Sequence, residues 1–355
     1  MVVLERIFDN IGRLFVATYH GHGSTVMSVN DLTCEFHMPN ARHSEFRQLG
    51  EAMEEIEQRL PEYALQMAYN VDEYPVALPE WKRGSTTEAS YFVVAQANKG
   101  MWLDLNRNQE EHRYQVAVLI SIQGVNPITG QPMEGIELKQ YSDTCPEHNT
   151  PFEAQRFCRK CNFKWPKQNY LASNATPEGS FWLDGFRAGD GRVRQYIFTP
   201  ETMRGVAAQV IGDERVFAIG VSFFLSKAPK PVPVPNYHRD RLHYYEGLMK
   251  GGGHYTYGDL LGGDSMRSVE GERGAVRTRG GVLAAQRLEV AAGARISQHV
   301  YDDPENLDFW QDVPAGTIYI NYTNANTRDY ILATGKDDRN NYGEGPLGGL
   351  RVGNP

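Results

Sequence analysis

The stretch YQVAVLISI, Tyr114–Ile122, is strongly apolar and rich in β-branched residues. Such residues favour extended backbone, and the run has the length of one strand rather than of a long helix. Residues 91–95 have the same character. The two segments predict that the core of the chain is built mostly from β-strands.

The segments on either side extend this pattern. Residues 13–19 and 24–30 alternate and flank a Gly-rich turn, which predicts a β-hairpin. Residues 44–60 carry apolar side chains at spacings of three and four, which predicts an amphipathic helix capped by Ser44 and ended by Pro61. Strands are predicted further on at 181–183, 192–198 and 215–225, with a short helix capped by Thr199 between the last two.

A proline-rich segment suggests a domain boundary. Four prolines between Pro229 and Pro235 favour a stiff, extended connector, so we predict a linker at 229–237. The length of 355 residues also favours two domains. We therefore predict an α+β fold with predominantly antiparallel strands, as a larger domain at 1–228 and a small antiparallel β domain at 238–335. The strands of the small domain are expected at 282–290, 296–300, 317–322 and 328–333, after a Gly-rich loop at 247–281 and before a C-terminal arm at 336–355.

Two closely spaced ligand pairs predict a metal site. Cys145 and His148 are separated by two residues, and so are Cys158 and Cys161. This spacing lets each pair converge on one tetrahedral ion, and three thiolates with one imidazole suit Zn²⁺. Four protein ligands leave no position for a water, so we expect one structural zinc ion per chain, held in an insertion at 142–170.

The same insertion is rich in basic and aromatic residues. Such a surface can bind nucleic acid, because cations meet phosphates and exposed rings stack on bases. The candidate contacts are Arg159, Lys160, Lys164 and Trp165. A structural interpretation is favoured, in which the cations offset the negative charge of a Cys₃His zinc site and the aromatic rings form a small core.

Three other groups were considered as sites. His20 and His22, with Asp31, His37 and His43 close in sequence, could form a second metal site, although a polar hairpin tip explains them better. Asp104, Asn106 and Asn108 begin like a calcium loop but lack its glycine and closing glutamate, so a polar turn is expected. Cys34 and His37 should lie on opposite faces of a strand, which argues against a nucleophilic pair.

Composition bounds the class of protein. The net charge of −8 gives no global attraction to nucleic acid or anionic membranes, and no apolar run is long enough to span a bilayer. Three of the four cysteines belong to the metal cluster, and the N-terminus lacks the features of a secretory signal. We therefore expect a cytoplasmic protein that is not associated with membranes.

The sequence carries no HExxH, phosphate-loop or GxSxG motif, which favours a non-enzymatic role. The Gly-rich loop and the C-terminal arm would lose much entropy on ordering unless a partner fixed them. We expect a structural protein that self-associates, as a subunit of a shell, tube or filament. The alternative is a zinc-ribbon protein that binds or processes nucleic acid.

Overall fold

The computed structural model describes residues 23–41, 62–110, 112–175, 181–187, 191–212, 218–230, 288–296, 298 and 300–334, together with the backbone of 3–8 and 14–19. The predicted helix at 44–60, the Gly-rich loop, most of the linker and the C-terminal arm lie outside these residues. The same holds for His20, His22 and His43. One compact unit comprises residues 1–229 and 284–355, and a second comprises 230–283, of which only Lys230 is described.

The described residues are mostly β-strand, which confirms the predicted β-rich character. The strands are β1 (Val3–Phe8), β2 (Leu14–Tyr19), β3 (Val26–Val29), β4 (Leu32–His37), β5 (Ala68–Asn70), β6 (Glu88–Val94), β7 (Gly100–Asp104), β8 (Tyr114–Ile122), β9 (Phe157–Cys158), β10 (Phe163–Lys164), β11 (Leu171–Ala172), β12 (Trp182–Leu183), β13 (Gly185–Arg187), β14 (Val193–Thr199), β15 (Ala218–Pro229), β16 (Glu289–Ile296) and β17 (Gly316–Thr323). The α-helices are α1 (Asn106–Glu110), α2 (Val206–Val210) and α3 (Ala325–Thr334). Short 3₁₀ turns occur at Val71–Glu73, Pro79–Trp81, Ala154–Arg156, Thr202–Arg204 and Leu307–Phe309.

Two sheets account for most of the strands. One has the order β11-β8-β15-β17-β6-β5, in which β17 and β6 are parallel and the other neighbours are antiparallel. The other has the order β13-β14-β7-β4-β3, with β12 also paired to β7 and β16 also paired to β14. In addition, β1 pairs with β2 and β9 pairs with β10.

The core lies between the two large sheets, because alternate residues of each sheet enter one buried cluster. In β8 these residues are Val116, Val118 and Ile120, and in β4 they are Cys34 and Phe36. Alternation of this kind is what a two-layer sandwich requires, since each sheet buries one face against the other.

The described strands after the linker pair with strands that precede it, whereas the sequence predicts a separate small domain at 238–335. Strand β16 pairs with β14, and β17 lies between β15 and β6. The local pattern marked both segments as strands, but their partners lie far away in the sequence. Burial of their apolar faces in the shared core explains why they join the larger sheets.

Three local predictions also differ from the structure. Residues 13–19 and 24–30 do not pair with each other, because β2 pairs with β1 and β3 pairs with β4. Residues 328–333 are part of α3 rather than a strand, and Asn324 caps this helix by accepting a hydrogen bond from Thr327 N at 2.8 Å. The short helix after β14 is a 3₁₀ turn followed by α2, with Gly205 rather than Thr199 preceding α2.

Candidate metal centre

The four predicted ligands lie in an insertion between β8 and β11, which we call the Cys/His module (residues 139–169). Its two ends run side by side, since Tyr141 N donates to Lys167 O at 2.7 Å and Asn169 N donates to Lys139 O at 3.1 Å. The Asn169 side chain bonds to the other end of the module, accepting from Lys139 N at 2.7 Å and donating to Glu137 O at 3.0 Å. These bonds fix the base of the module at the start of β11.

A partly buried carboxylate ties this base to the sandwich. Asp303 accepts hydrogen bonds from Tyr170 Oη at 2.6 Å and from Trp310 Nε1 at 2.7 Å. The backbone N–H of Asp303 donates to Gln168 Oε1 at 2.7 Å. Because Tyr170 and Trp310 are almost fully buried, the module leaves the sandwich from a rigid anchor rather than from a free hinge.

Each ligand pair sits on a tight turn that an asparagine completes. Asn149 follows His148 with φ of 48°, and Asn162 follows Cys161 with φ of 53°. Asparagine adopts this left-handed conformation more readily than most residues other than glycine, so the chain can reverse directly after each pair. After the second turn, β10 pairs back onto β9, with Phe163 opposite Cys158. The two turns therefore present their side chains toward one point.

The ligand atoms have the spacing of a tetrahedral site. Cys145 Sγ lies 3.8 Å from Cys161 Sγ and 3.6 Å from His148 Nδ1, and Cys158 Sγ lies 3.9 Å from His148 Nδ1. Metal–sulfur bonds of about 2.3 Å in a regular tetrahedron place two sulfurs about 3.8 Å apart. All four ligand atoms lie within 4.8 Å of one another. The residues thus fit one four-coordinate ion without rearrangement.

Backbone donors prepare Cys158 to act as a thiolate. Hydrogen bonding from the backbone of Cys161 is the main cause that lowers the pKa of Cys158 to about 6, and the backbone of Lys160 adds to it. The thiolate is the form that binds metal. The turn of the second pair therefore supplies both the position of the ligand and its charge state.

Trp165 is buried inside the module, in the position that the structural interpretation of the insertion predicts for its aromatic rings. It is 5% exposed and packs with Cys145 and Cys158. Its ring centre lies 5.1 Å from that of Phe163 and 5.4 Å from that of Tyr141. The ring therefore belongs to the small core of the module, and one part of it lines a neighbouring cleft.

The three basic candidates remain on the surface, two of them with partners. Arg159 pairs with Glu153, with Nε and Oε1 2.5 Å apart, and its side chain is 80% exposed. Lys164 Nζ donates to Gln155 Oε1 at 3.0 Å, and Lys160 is exposed. Surface contacts of this kind are weak, so all three side chains remain available to a partner.

A cleft of about 320 Å³ lies between the Cys/His module and the sheet edge at β13. Its lining contains four basic side chains, Arg156, Lys164, Lys167 and Arg187, and the acid Asp302. Lys167 pairs with Asp302 at 2.7 Å. Gly191 also lines the cleft and has a φ of 79°. A Cβ atom at this position would lie 2.5 Å from Lys164 Cδ, so the absence of a side chain lets Lys164 pack against the Gly191 backbone. We call this feature the basic cleft.

Arg187 is the residue of the basic cleft that sequence reasoning missed, since it lies outside the insertion. Its Nε is buried, like that of Arg156, and neither atom has a hydrogen-bond partner among the described residues. Burial lowers the pKa of Arg187 and the charge of Arg156 lowers it further, while Asp302 opposes the effect. Arg187 is therefore held where both its burial and the nearby charge of Arg156 disfavour its own charge.

The remaining candidates occupy structural positions. Cys34 is fully buried, and burial raises its pKa well above the usual value, so it faces the core as an unreactive thiol. Asn108 bonds to the backbone of Thr33 through Oδ1 and Nδ2, and Asp104 Oδ1 accepts from Asn106 N at 2.9 Å. These bonds hold the start of α1 against the end of β7 and against β4.

The chain was compared with known proteins, and no family model, curated protein or solved structure matches it. Among the described residues, no helix combines the length and the apolar character that crossing a membrane requires.

Proposed function

We propose that this chain is a non-enzymatic protein that binds the phosphate backbone of single-stranded nucleic acid in the basic cleft. The observation that carries the proposal is the pair Arg156 and Arg187, two partly buried arginines that line one small cavity and whose Nε atoms have no hydrogen-bond partner among the described residues. The terminal nitrogens of Arg156 bond to Asp143 Oδ1 at 2.8 Å and to the backbone carbonyls of Tyr141 and Ser142, which hold the guanidinium in place. Arginine recognises phosphate through planar, charge-assisted hydrogen bonds. An anion in the cleft would relieve the repulsion between the two groups.

The size of the basic cleft supports a small part of a strand as its occupant. Its volume of about 320 Å³ lies at the lower end of the range for small-ligand pockets, about 300 to 1,000 Å³. One phosphate with its sugar fits such a space. Lys160 and Arg159, exposed on the module above, would contact neighbouring phosphates.

We propose Zn²⁺ as the ion of the Cys/His module, one per chain. Cys145, His148, Cys158 and Cys161 would hold it, and their tetrahedral spacing supports this choice. The ion would supply a structural cross-link, because four protein ligands fill its coordination. It would fix Arg156, Lys164 and Lys167 as one wall of the basic cleft.

Fluorescence polarisation with a labelled oligothymidylate at several salt concentrations tests the binding proposal. Arg187→Gln should weaken binding by about 10- to 150-fold, since a hydrogen bond to a charged group contributes about 1.5–3 kcal/mol and each 1.4 kcal/mol is about tenfold. It should also reduce the slope of log affinity against log salt by about 0.7 for each lost phosphate contact. Arg204→Gln is the matched control, because Arg204 forms an exposed pair with Glu201 away from the cleft lining.

Loss of folding would not explain a weaker Arg187→Gln variant. Removing a buried cation that disfavours its neighbour should leave the thermal midpoint unchanged or higher. Equal affinity of Arg187→Gln and the wild type, or wild-type binding that does not change with salt, would overturn the proposal.

Self-association as a structural subunit is a second proposal. The large apolar side chains that are mostly exposed on the described surface include Met203 at 79% and Val313 at 68%, and a contact with another copy would cover them. The segments 247–281 and 336–355, which first suggested it, lie outside the described residues. Light scattering after gel filtration should give a mass above 40.0 kDa that falls in Val313→Glu. A monomer mass at every concentration would refute this role.

A further inference from the structure

The outer face of β4 and β7 carries a second group of metal-ligating side chains. Glu35 and His37 are two residues apart on β4 and therefore point to the same face. Asp104 on β7 pairs with Glu35, and Trp102 pairs with His37, so all four side chains share that face. Cys34 and Phe36, the intervening residues of this strand, enter the core. The group is thus on the opposite side of the sheet from the sandwich interior.

His37 is fully buried without using its hydrogen-bonding capacity. Its ring stacks on Trp102 at 3.8 Å between centres, and Tyr63 covers it at 4.6 Å. Neither Nδ1 nor Nε2 has a hydrogen-bond partner among the described residues. Buried polar groups are usually satisfied, and an orphaned imidazole nitrogen in a native protein commonly marks a missing water or ion. The stacking holds the ring in place, and neither nitrogen bonds to any residue in the described part of the chain.

Two carboxylates lie within reach of this ring. Glu35 Oε2 is 3.8 Å from His37 Nε2, and one ligand atom each from Glu35, His37 and Asp104 can be chosen so that all lie within 4.8 Å of one another. At 3.8 Å the imidazole and the carboxylate are too far apart for a hydrogen bond, but they are spaced as two ligands of one ion would be.

A second layer of contacts orients both carboxylates. Arg107 Nε donates to Glu35 Oε1 at 2.9 Å, and the Tyr63 hydroxyl lies 3.4 Å from Glu35 Oε2. On the other side, Asn106 N donates to Asp104 Oδ1 at 2.9 Å. Metal-binding carboxylates are typically held by such outer hydrogen bonds, which leave other lone pairs for the ion.

We propose that Glu35, His37 and Asp104 form a second metal site, distinct from the Cys/His module, that takes a first-row divalent transition metal. One imidazole and two carboxylates form a harder ligand set than three thiolates and an imidazole, and suit ions such as Mn²⁺, Fe²⁺, Co²⁺ or Zn²⁺. The imidazole disfavours Ca²⁺ and Mg²⁺, which prefer ligand sets made only of oxygen. Three protein ligands leave coordination positions for water.

The rest of the chain offers a matched histidine for comparison. His112 is also almost fully buried, but its Nδ1 accepts from Tyr114 N at 3.1 Å and its Nε2 lies 3.1 Å from Asp31 Oδ2. No third ligand groups with this pair among the described residues. A buried histidine beside a carboxylate is therefore present at both places, and only His37 has the second carboxylate.

Counting metal ions by native mass spectrometry tests the site. The full-length chain, stripped of metal and titrated with Co²⁺, should bind two ions. His37→Phe, which keeps the stacking on Trp102, and Asp104→Asn should each bind one. Both variants should retain the thiolate-to-cobalt absorption of the Cys/His module. His112→Phe should still bind two ions.

Two substitutions are used because His37→Phe could fail to fold. Asp104→Asn keeps the size and shape of the side chain, so it tests the site in that case. A wild-type chain that binds one Co²⁺ at saturation would overturn the proposal, as would two ions in Asp104→Asn. The outcome is separate from that of the basic cleft, since Arg187→Gln should bind two ions whether or not it binds nucleic acid.

Discussion

Replacing Trp165 by alanine separates its structural role from the alternative role of contacting nucleic acid. The ring is 5% exposed and is the largest apolar side chain of the cluster it forms with Cys145 and Cys158. Its other neighbours, among them Phe163 and Tyr141, are only partly buried. The small core of the Cys/His module therefore depends mainly on this one ring.

The expected effect follows from the buried area. A tryptophan buries about 150–250 Å² and burial contributes about 25 cal/mol per Å², which gives about 4–6 kcal/mol. Measured truncations of buried aromatic residues to alanine cost about 3–5 kcal/mol. Because metal binding is coupled to folding of the module, this loss should appear as weaker metal affinity. At about 1.4 kcal/mol per tenfold change, Trp165→Ala should bind Zn²⁺ at least a hundredfold more weakly.

Competition with a chromogenic chelator measures that affinity directly. Trp81→Ala is the matched control, since Trp81 is buried in a different cluster with Tyr74 and Phe92. It should lower the stability of the sandwich and leave zinc affinity unchanged. The reasoning is refuted if Trp165→Ala binds zinc as tightly as the wild type while losing affinity for an oligonucleotide, which is what a base-stacking ring would show.

Two further predictions concern the anchor of the module and the sandwich. Asp303→Ala leaves the buried donors of Tyr170 and Trp310 without their acceptor, so it should lower the free energy of unfolding by about 2–5 kcal/mol in urea titrations. Asp302→Ala, which breaks an exposed pair, should change the free energy by less than about 0.5 kcal/mol, and equal losses would contradict the anchor. Burial raises the pKa of Tyr74 from 10.0 to about 12, so the neutral phenol stabilises the fold below pH 10 and this contribution is lost as pH rises toward 12. Tyr74→Phe should show a shallower loss of stability over that window in the same titrations, and an unchanged slope would contradict the assignment.

The sequence was informative wherever the determinant was local. The apolar run of β8 predicted a strand, and the spacing of Cys145, His148, Cys158 and Cys161 predicted ligands that the structure brings together. An additional local signal was available, because an asparagine follows each ligand pair, at Asn149 and Asn162, where the chain turns back.

The rest depended on contacts between distant parts of the chain. His37 was considered with histidines close to it in sequence, whereas Asp104 approaches it from a neighbouring strand. Arg187 is also close to the module only in the folded chain, because pairing within the sheet places β13 beside the module. The segment at 328–333 alternates enough to suggest a strand, but the cap at Asn324 starts a helix.

The position of β17 has a consequence for how the chain is made. It is inserted between β15 and β6, and its Asn321 bonds to Ser90, 231 residues earlier in the chain. Contacts of such long range slow folding, because a large loop must close before they form. During synthesis on the ribosome, β6 and β15 would wait with unpaired edges until residues 316–323 emerge, and unpaired edges invite aggregation. Pulse-labelled nascent chains should therefore become protease-resistant only after this last strand has left the exit tunnel.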